Sequence, residues 1–146
     1  MRLLQIEDNR ADVTLVREAL KEIEAPVEIR VIEDGQDALD FLVQCEPETP
    51  LPCPDIILLD LNLPRKHGDE VLTELKQHPR FKGIPVVVFT GTDEPCEVYH
   101  CYELGANAFL RKPMDMVEYF SVVQTCVEFW KACQMPRLPT GARVRS

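Results

Sequence analysis

The sequence predicts a doubly wound α/β domain, and three observations carry that expectation. Short apolar runs alternate with longer helical patterns, the runs Ile56–Leu59 and Val86–Phe89 are almost purely aliphatic, and turn residues fall between segments. A strand covered on both faces has no polar alternation, as in a parallel sheet between helical layers. Five strand-then-helix units with right-handed crossovers in 146 residues suit a five-stranded parallel sheet of flavodoxin-like order 2-1-3-4-5, helices on both faces.

The first strand is read at Leu3–Ile6. A helix over Ala11–Glu24 follows, because Ala11, Leu15, Ala19 and Ile23 repeat every four residues and Val16 and Leu20 widen the stripe. Val27–Ile32 is the second strand, and Asp34-Gly35 turns the chain into a helix over Gln36–Cys45. Pro47, Pro50, Pro52 and Pro54 exclude helix and central strand over Glu46–Pro54, which leaves a stiff surface loop before the third strand, Ile56–Leu59. Pro64 and Gly68 precede a helix over Glu70–Gln77, and Pro79 and Gly83 precede the fourth strand, Val86–Phe89. A helix over Pro95–Leu104, a turn at Gly105, a strand at Ala108–Leu110 and a last helix over Asp115–Cys133 complete the pattern. The domain is expected to occupy residues 1–133, with 134–146 a frayed tail marked by Pro136, Pro139 and Gly141.

Composition narrows the function. With 16 Lys+Arg against 25 Asp+Glu the net charge is −9, which repels phosphate backbones and anionic headgroups, so neither nucleic acid nor membrane is an expected partner. The start Arg2-Leu3-Leu4-Gln5-Ile6 turns acidic too soon for a signal peptide, and no apolar run approaches the ~20 residues of a membrane helix. A soluble, cytoplasmic protein is expected. Its six cysteines form no CxxC pair and read as free thiols packed as small hydrophobes. Neither GxGxxG nor GxxxxGK[ST] occurs, which excludes nucleotide binding by those loops.

Ligands of open α/β sheets bind beyond the carboxyl ends of the strands. There the chain places Glu7 and Asp8 after the first strand, Asp60 after the third, Thr90 after the fourth and Lys112 after the fifth. Each alone has an ordinary reading: a helix-terminal acidic pair, a helix cap, a surface lysine. Together they make a phosphoryl site. Crowded carboxylates stay ionised around a cation, and hard oxygen ligands without His or Cys favour Mg²⁺. Lysine and threonine suit phosphoryl oxygens, and Asp60, delivered by four aliphatic residues, is positioned as a nucleophile that forms an aspartyl phosphate.

Ile6-Glu7-Asp8-Asn9, the run Asp55 to Pro64, Pro85 to Thr90, and Leu104-Gly105-Ala106 through Lys112-Pro113 resemble, in order and spacing, the receiver domain of bacterial two-component response regulators. The resemblance covers Arg2 to about Cys133. It implies that Asp60 accepts phosphate from a sensor histidine kinase, that Glu7, Asp8, Asp60 and the backbone carbonyl of Asn62 hold Mg²⁺, and that Thr90 and Lys112 contact the phosphoryl group. It further implies a switch in which Phe109 turns inward as the Thr90 hydroxyl moves, and a cis Lys112–Pro113 peptide. Leu63 and His67 depart from the commonest receiver pattern. His67 is read as a solvated loop side chain, not a phosphate shuttle. The Leu61-Asn62-Leu63-Pro64 run, the extra loop and Phe129-Trp130 resemble more narrowly the regulators paired with phytochromes, which implies a phytochrome-type kinase partner.

Output is expected to pass to an unknown downstream protein through the receiver surface, since the chain ends before an effector domain. In the last helix Met116, Phe120, Val123, Val127 and Trp130 form one apolar stripe, and Tyr119, Val122, Cys126, Phe129 and Cys133 a second. One stripe covers the sheet; the second, with Trp130, is expected to form a homodimer interface. The protein is thus read as a phosphoacceptor and not an enzyme, beyond self-phosphorylation from small donors and autodephosphorylation. Two alternatives stand beside it. An aspartate-nucleophile phosphatase of the haloacid-dehalogenase type needs an Asp where Asn62 stands, and ester turnover would reveal it. A phosphate-independent, receiver-like binding module would fail to bind Mg²⁺ or beryllofluoride.

Overall fold

A computed structural model describes residues 1–24, 26–45 and 53–136. The elements run β1 (Arg2–Ile6), α1 (Arg10–Lys21), β2 (Glu28–Ile32), α2 (Gly35–Gln44), β3 (Ile56–Leu59), α3 (Gly68–Gln77), β4 (Val86–Thr90), α4 (Pro95–Glu103), β5 (Ala108–Arg111) and α5 (Met116–Ala132). All neighbouring strands are parallel, in the order β2-β1-β3-β4-β5 that the sequence predicts. Most of the Glu46–Pro54 loop and of the 134–146 tail lies outside the described residues.

The pleat divides the core in two, because successive strand residues point to opposite faces. Leu4, Ile6, Ile57, Leu59, Val86 and Val88 pack against α2, α3 and Cys101 of α4. Leu3, Ile56, Leu58, Val87 and Phe89 pack against α1 and α5. Every residue of β3 and β4 is buried, which accounts for their unbroken apolar sequence. Caps set the helix starts: Asn9 accepts from the Ala11 and Asp12 amides, Asp34 from Gln36 and Asp37, and Asp115 from Glu118. α1 stops at Lys21, before the expected Glu24, where the Glu22 amide turns back to the Ala19 carbonyl. Ala11, read as part of the buried stripe, is exposed in the first turn.

Three tethers join the layers. Lys76 Nζ donates to the Ile84 carbonyl (2.9 Å), the Asn107 side chain (2.9 Å) and the Lys82 carbonyl (3.2 Å), fastening α3 to the segments that lead into β4 and β5. Arg65, held at a φ of 62°, donates to Asp34 (2.6 Å) and Asp37 (2.9 Å), which ties the turn after β3 to the start of α2. Tyr102 Oη accepts the Phe109 amide at 3.0 Å and so occupies a donor of the edge strand β5.

Two expectations need correction. The described residues contain no cis peptide bond, so Lys112–Pro113 is trans. In α5 the stripes are assigned differently: Tyr119, expected to face outward, is only 3% exposed, while Met116, expected to face the sheet, is 61% exposed. Val122 and Cys126 are half-buried against the α1/α5 core, so much of the second stripe is partnered within the chain, and Gln124 Nε2 clamps the helices through the Ala19 carbonyl (2.9 Å) and Glu22 (2.8 Å). Glu118, Ser121, Thr125 and Glu128 are all exposed and give α5 a polar face. Among the described residues no helix is long and apolar enough to cross a membrane.

Candidate functional site

The hydrogen-bond ladder of the sheet carries each chemical residue to one edge. The Glu7 amide bonds the Ile32 carbonyl (3.0 Å), the Asp60 amide the Ile6 carbonyl (3.0 Å), and the Lys112 amide the Thr90 carbonyl (2.7 Å). Each residue therefore continues a strand by one step, and its position is as rigid as the sheet. Behind Asp60 the chain doubles back: the Gly68 amide reaches the Leu61 carbonyl at 2.9 Å, and a Cβ on Gly68 would lie 2.4 Å from the Asp60 carbonyl oxygen. Only glycine lets α3 start this close to the carboxylate-bearing turn.

Carboxylate oxygens of Glu7, Asp8 and Asp60 lie within 4.8 Å of one another, with Glu7 and Asp60 buried and Asp8 exposed at the mouth. Lys112 Nζ sits 2.5 Å from Glu7 Oε1, 3.0 Å from Asp12 Oδ2 and 3.6 Å from Asp60 Oδ2. The Lys112 ammonium also lies 5.9 Å from the centre of the Phe89 ring. Thr90 closes the site from β4; its Oγ1 and Asp60 Oδ1 are buried without a hydrogen-bond partner.

The electrostatics follow from this crowding. Burial first, and then its hydrogen bond to Asp60, push Glu7 up to about 8, against an ordinary 4.5. Burial works against the Lys112 ammonium, but the hydrogen bond and charge of Glu7, the charge of Asp60 and the bond to Asp12 outweigh it and raise its pKa. One cation cannot neutralise this many carboxylates, so the cluster holds either a proton or a second cation. The donor set fits a hard divalent ion: oxygens alone, one of them an orphaned carboxylate oxygen, with an open side at Asp8 for waters.

Comparison with known proteins bears on this geometry. The response regulator receiver domain family matches residues 3–124. The chain belongs to that family. This receiver is similar to the response regulator Rcp1 of Synechocystis sp. (strain ATCC 27184 / PCC 6803 / Kazusa), with 43% identity over 128 residues that cover 88% of this chain and 87% of the relative. Among solved structures it is similar to the phosphorylated cyanobacterial phytochrome response regulator RcpA, with TM-score 0.86, 37% identity and coverage of 93% and 98% of the two chains. It is also similar to the Mn²⁺-bound form of Rcp1, with TM-score 0.85, 41% identity and coverage of 93% and 99%. The receiver thus has the fold and the family that its sequence predicts, and its similarity lies with phytochrome response regulators.

Of the residues expected at the site, Glu7, Asp8, Asp60 and Lys112 meet directly, and Thr90 lies on the adjacent strand end. Asn62 is exposed in the turn two residues after Asp60. Phe109 is half-buried against the α2–α4 core, beside Val88 across the β4–β5 ladder. His67 is exposed and caps α3, with Nδ1 2.7 Å from Asp69 Oδ1. The sequence reading missed Asp12 and Tyr119, whose Oη donates to Asp12 Oδ1 at 2.7 Å. A signal was present, since a buried tyrosine needs a polar partner and the first turn of α1 carries an acid.

Proposed function

We propose that this receiver accepts a phosphoryl group on Asp60 from a phosphohistidine of a sensor kinase, with Mg²⁺ as the cofactor, and signals by protein contact. The observation that carries the reading is the environment of Asp60: one carboxylate oxygen is buried and unpartnered, the other lies 3.6 Å from Lys112, and two further carboxylates stand within 4.8 Å. A carboxylate oxygen of Asp60 attacks phosphorus; the phosphorus–nitrogen bond of the donor breaks, and the imidazole leaves and takes up a proton. Glu7, Asp8, Asp60 and the Asn62 carbonyl would hold Mg²⁺, which supplies positive charge against the phosphoryl oxygens. Lys112 neutralises a further share of that charge, and the free Thr90 hydroxyl donates to a phosphoryl oxygen. Phe109, on the same face as Thr90, then serves as the switch residue.

Similarity to phytochrome response regulators supports a phytochrome-type histidine kinase as partner. The net charge of −9 supports partners that are neither nucleic acid nor membrane, in the cytoplasm. A homodimer is the reading for the exposed end of α5, where Phe129 is 59% exposed and stands edge-on to Trp130 at 5.2 Å. Phosphorylation is tested by intact mass after incubation with Mg²⁺ and acetyl phosphate. One phosphate adduct that Asp60→Asn abolishes is the expected result; no adduct, or one that survives Asp60→Asn, overturns the proposal.

A further inference from the structure

Lys112 carries three N–H donors, and two are committed, to Glu7 Oε1 at 2.5 Å and Asp12 Oδ2 at 3.0 Å. Asp12 is not one of the clustered carboxylates that suit a cation. It sits in the first turn of α1, its backbone fixed by the Asn9 cap, and its other oxygen accepts the Tyr119 hydroxyl at 2.7 Å. Tyr119 is 3% exposed on α5 and meets the Phe89 ring edge-on at 5.2 Å, and the Lys112 ammonium lies 5.9 Å from the centre of the same ring. The four side chains close a circuit around the ammonium: two acceptors, an aromatic ring and the phenol that orients one acceptor. Burial, and then the Asp12 carboxylate, raise the phenol pKa, so Tyr119 acts as a donor throughout the working range.

We infer that Asp12, oriented by Tyr119, is a positioning residue for phosphoryl transfer: it holds Lys112 with its remaining N–H turned toward Asp60, and it makes α5 sense that site. The inference rests on the phosphoacceptor reading of Asp60. If Asp12 let go, Lys112 would have only Glu7 and Asp60 as acceptors and would settle on the Asp60 oxygen, 3.6 Å away, that has to react. The Asp12–Tyr119 pair keeps the ammonium near the nucleophile without a hydrogen bond to it. When a phosphoryl group draws Lys112 over, the load on Asp12 changes, and Tyr119 carries that change to α5. A coupling of this kind is reciprocal.

The experiment uses the full chain and Asp12→Asn, Tyr119→Phe and the double variant. Phosphorylation rates with acetyl phosphate are read by intact mass, Mg²⁺ affinity by calorimetry, and Tyr119 by the ¹³Cζ resonance of labelled tyrosine, assigned with the Phe variant. Asp12→Asn is expected to slow phosphorylation about tenfold and Tyr119→Phe about threefold, the size of effect that a misaligned reacting group produces. The double variant is expected to match Asp12→Asn, because Tyr119 acts through Asp12. The Tyr119 resonance should move when Mg²⁺ and beryllofluoride are added, and stay in place in Asp12→Asn. A merely structural pair would lower stability without this shift and with independent effects. Rates within about twofold of wild type in a wild-type chain that does phosphorylate would overturn the inference alone; a wild-type chain that takes up no phosphate would overturn it together with the phosphoacceptor reading. Should Asp12→Asn not fold, Tyr119→Phe, which removes one oxygen, decides by the same rate, and the Tyr119 resonance is read in the wild-type chain, where no movement on adding Mg²⁺ and beryllofluoride overturns the inference.

Discussion

Replacing Gly68 by alanine tests whether the packing of α3 against the β3 turn sets the geometry of Asp60. The new methyl would lie 2.4 Å from the Asp60 carbonyl oxygen and 2.6 Å from the Leu61 Cα, whereas real Cβ contacts keep 3.0 Å. Both are backbone atoms, so no side chain can swing aside, and the turn and the helix start must part by about 0.6 Å. Forcing extra volume into a packed site costs about 1–3 kcal/mol, and a clash with two backbone atoms belongs near the upper end, a Tm loss of roughly 6–10 °C at this chain length. The same movement carries the Asp60 oxygens away from Glu7 and Asp8, so phosphorylation should slow about tenfold. Gly91→Ala is the control: it lies beside Thr90 at the same sheet edge, yet nothing stands within 4 Å of its Cβ, and its effect should stay within about 0.5 kcal/mol. Urea denaturation in EDTA measures stability free of metal linkage, and acetyl phosphate measures the rate. If Gly68→Ala matched Gly91→Ala in stability, or lost stability and kept the wild-type rate, Gly68 would not shape the Asp60 turn.

Three further predictions follow from the same structure. Because burial and Asp60 push Glu7 up to about 8, Mg²⁺ must displace a proton below that pH, and its affinity should fall about tenfold per unit from pH 8 to pH 6 in calorimetric titrations. The sign for stability is fixed by the same shift: the metal-free fold gains from holding that proton fully below 4.5 and loses the gain as pH rises through about 8, so Mg²⁺ should raise Tm more at pH 8.5 than at pH 6. A Mg²⁺ affinity flat across that interval would remove Glu7 from the site. Phe129→Glu places a charge on a residue that is 59% exposed, so it should leave Tm nearly unchanged and convert a dimer to monomer in sedimentation; a persistent dimer moves the interface off this end of α5. Lys76→Met takes the ammonium from the Ile84 carbonyl and leaves the Asn107 oxygen with the Val86 amide alone, and should cost about 1–3 kcal/mol in urea without slowing phosphorylation.

Sequence pattern exposed some elements and hid others for definite reasons. β3 and β4 were legible because both their faces are covered, which leaves no polar residue to blur them. The strand-end rule then found Glu7, Asp8, Asp60, Thr90 and Lys112 without contacts, since it depends only on where strands stop. In α5 periodicity fails for the opposite reason: apolar residues occupy most of the circumference, so the period cannot say which stripe meets the sheet. The decision came from Asp12, more than a hundred residues away, whose carboxylate takes the Tyr119 hydroxyl inward. Asp12 itself was illegible, because an acid in the first turn of a helix is equally suited to the helix dipole.

The division of the core by the sheet gives the site two exits. Thr90 continues the face of Val86 and Val88, where Phe109 packs, so a moving Thr90 hydroxyl is felt among α2, α3 and α4. Lys112, Asp12 and Tyr119 lie toward the other layer, and from Tyr119 a rigid helix runs ten residues to Phe129, about 15 Å at 1.5 Å per residue. Successive strand residues point to opposite faces, so the two routes run through different side chains in different core layers and should be separable. Phe109→Ala should silence changes on the α4 side while leaving the beryllofluoride-dependent shift of Tyr119 intact, and Tyr119→Phe should do the reverse, as read by amide resonances of α4 and α5. If either variant silenced both helices, the sheet would be acting as one switch and not as a partition between two.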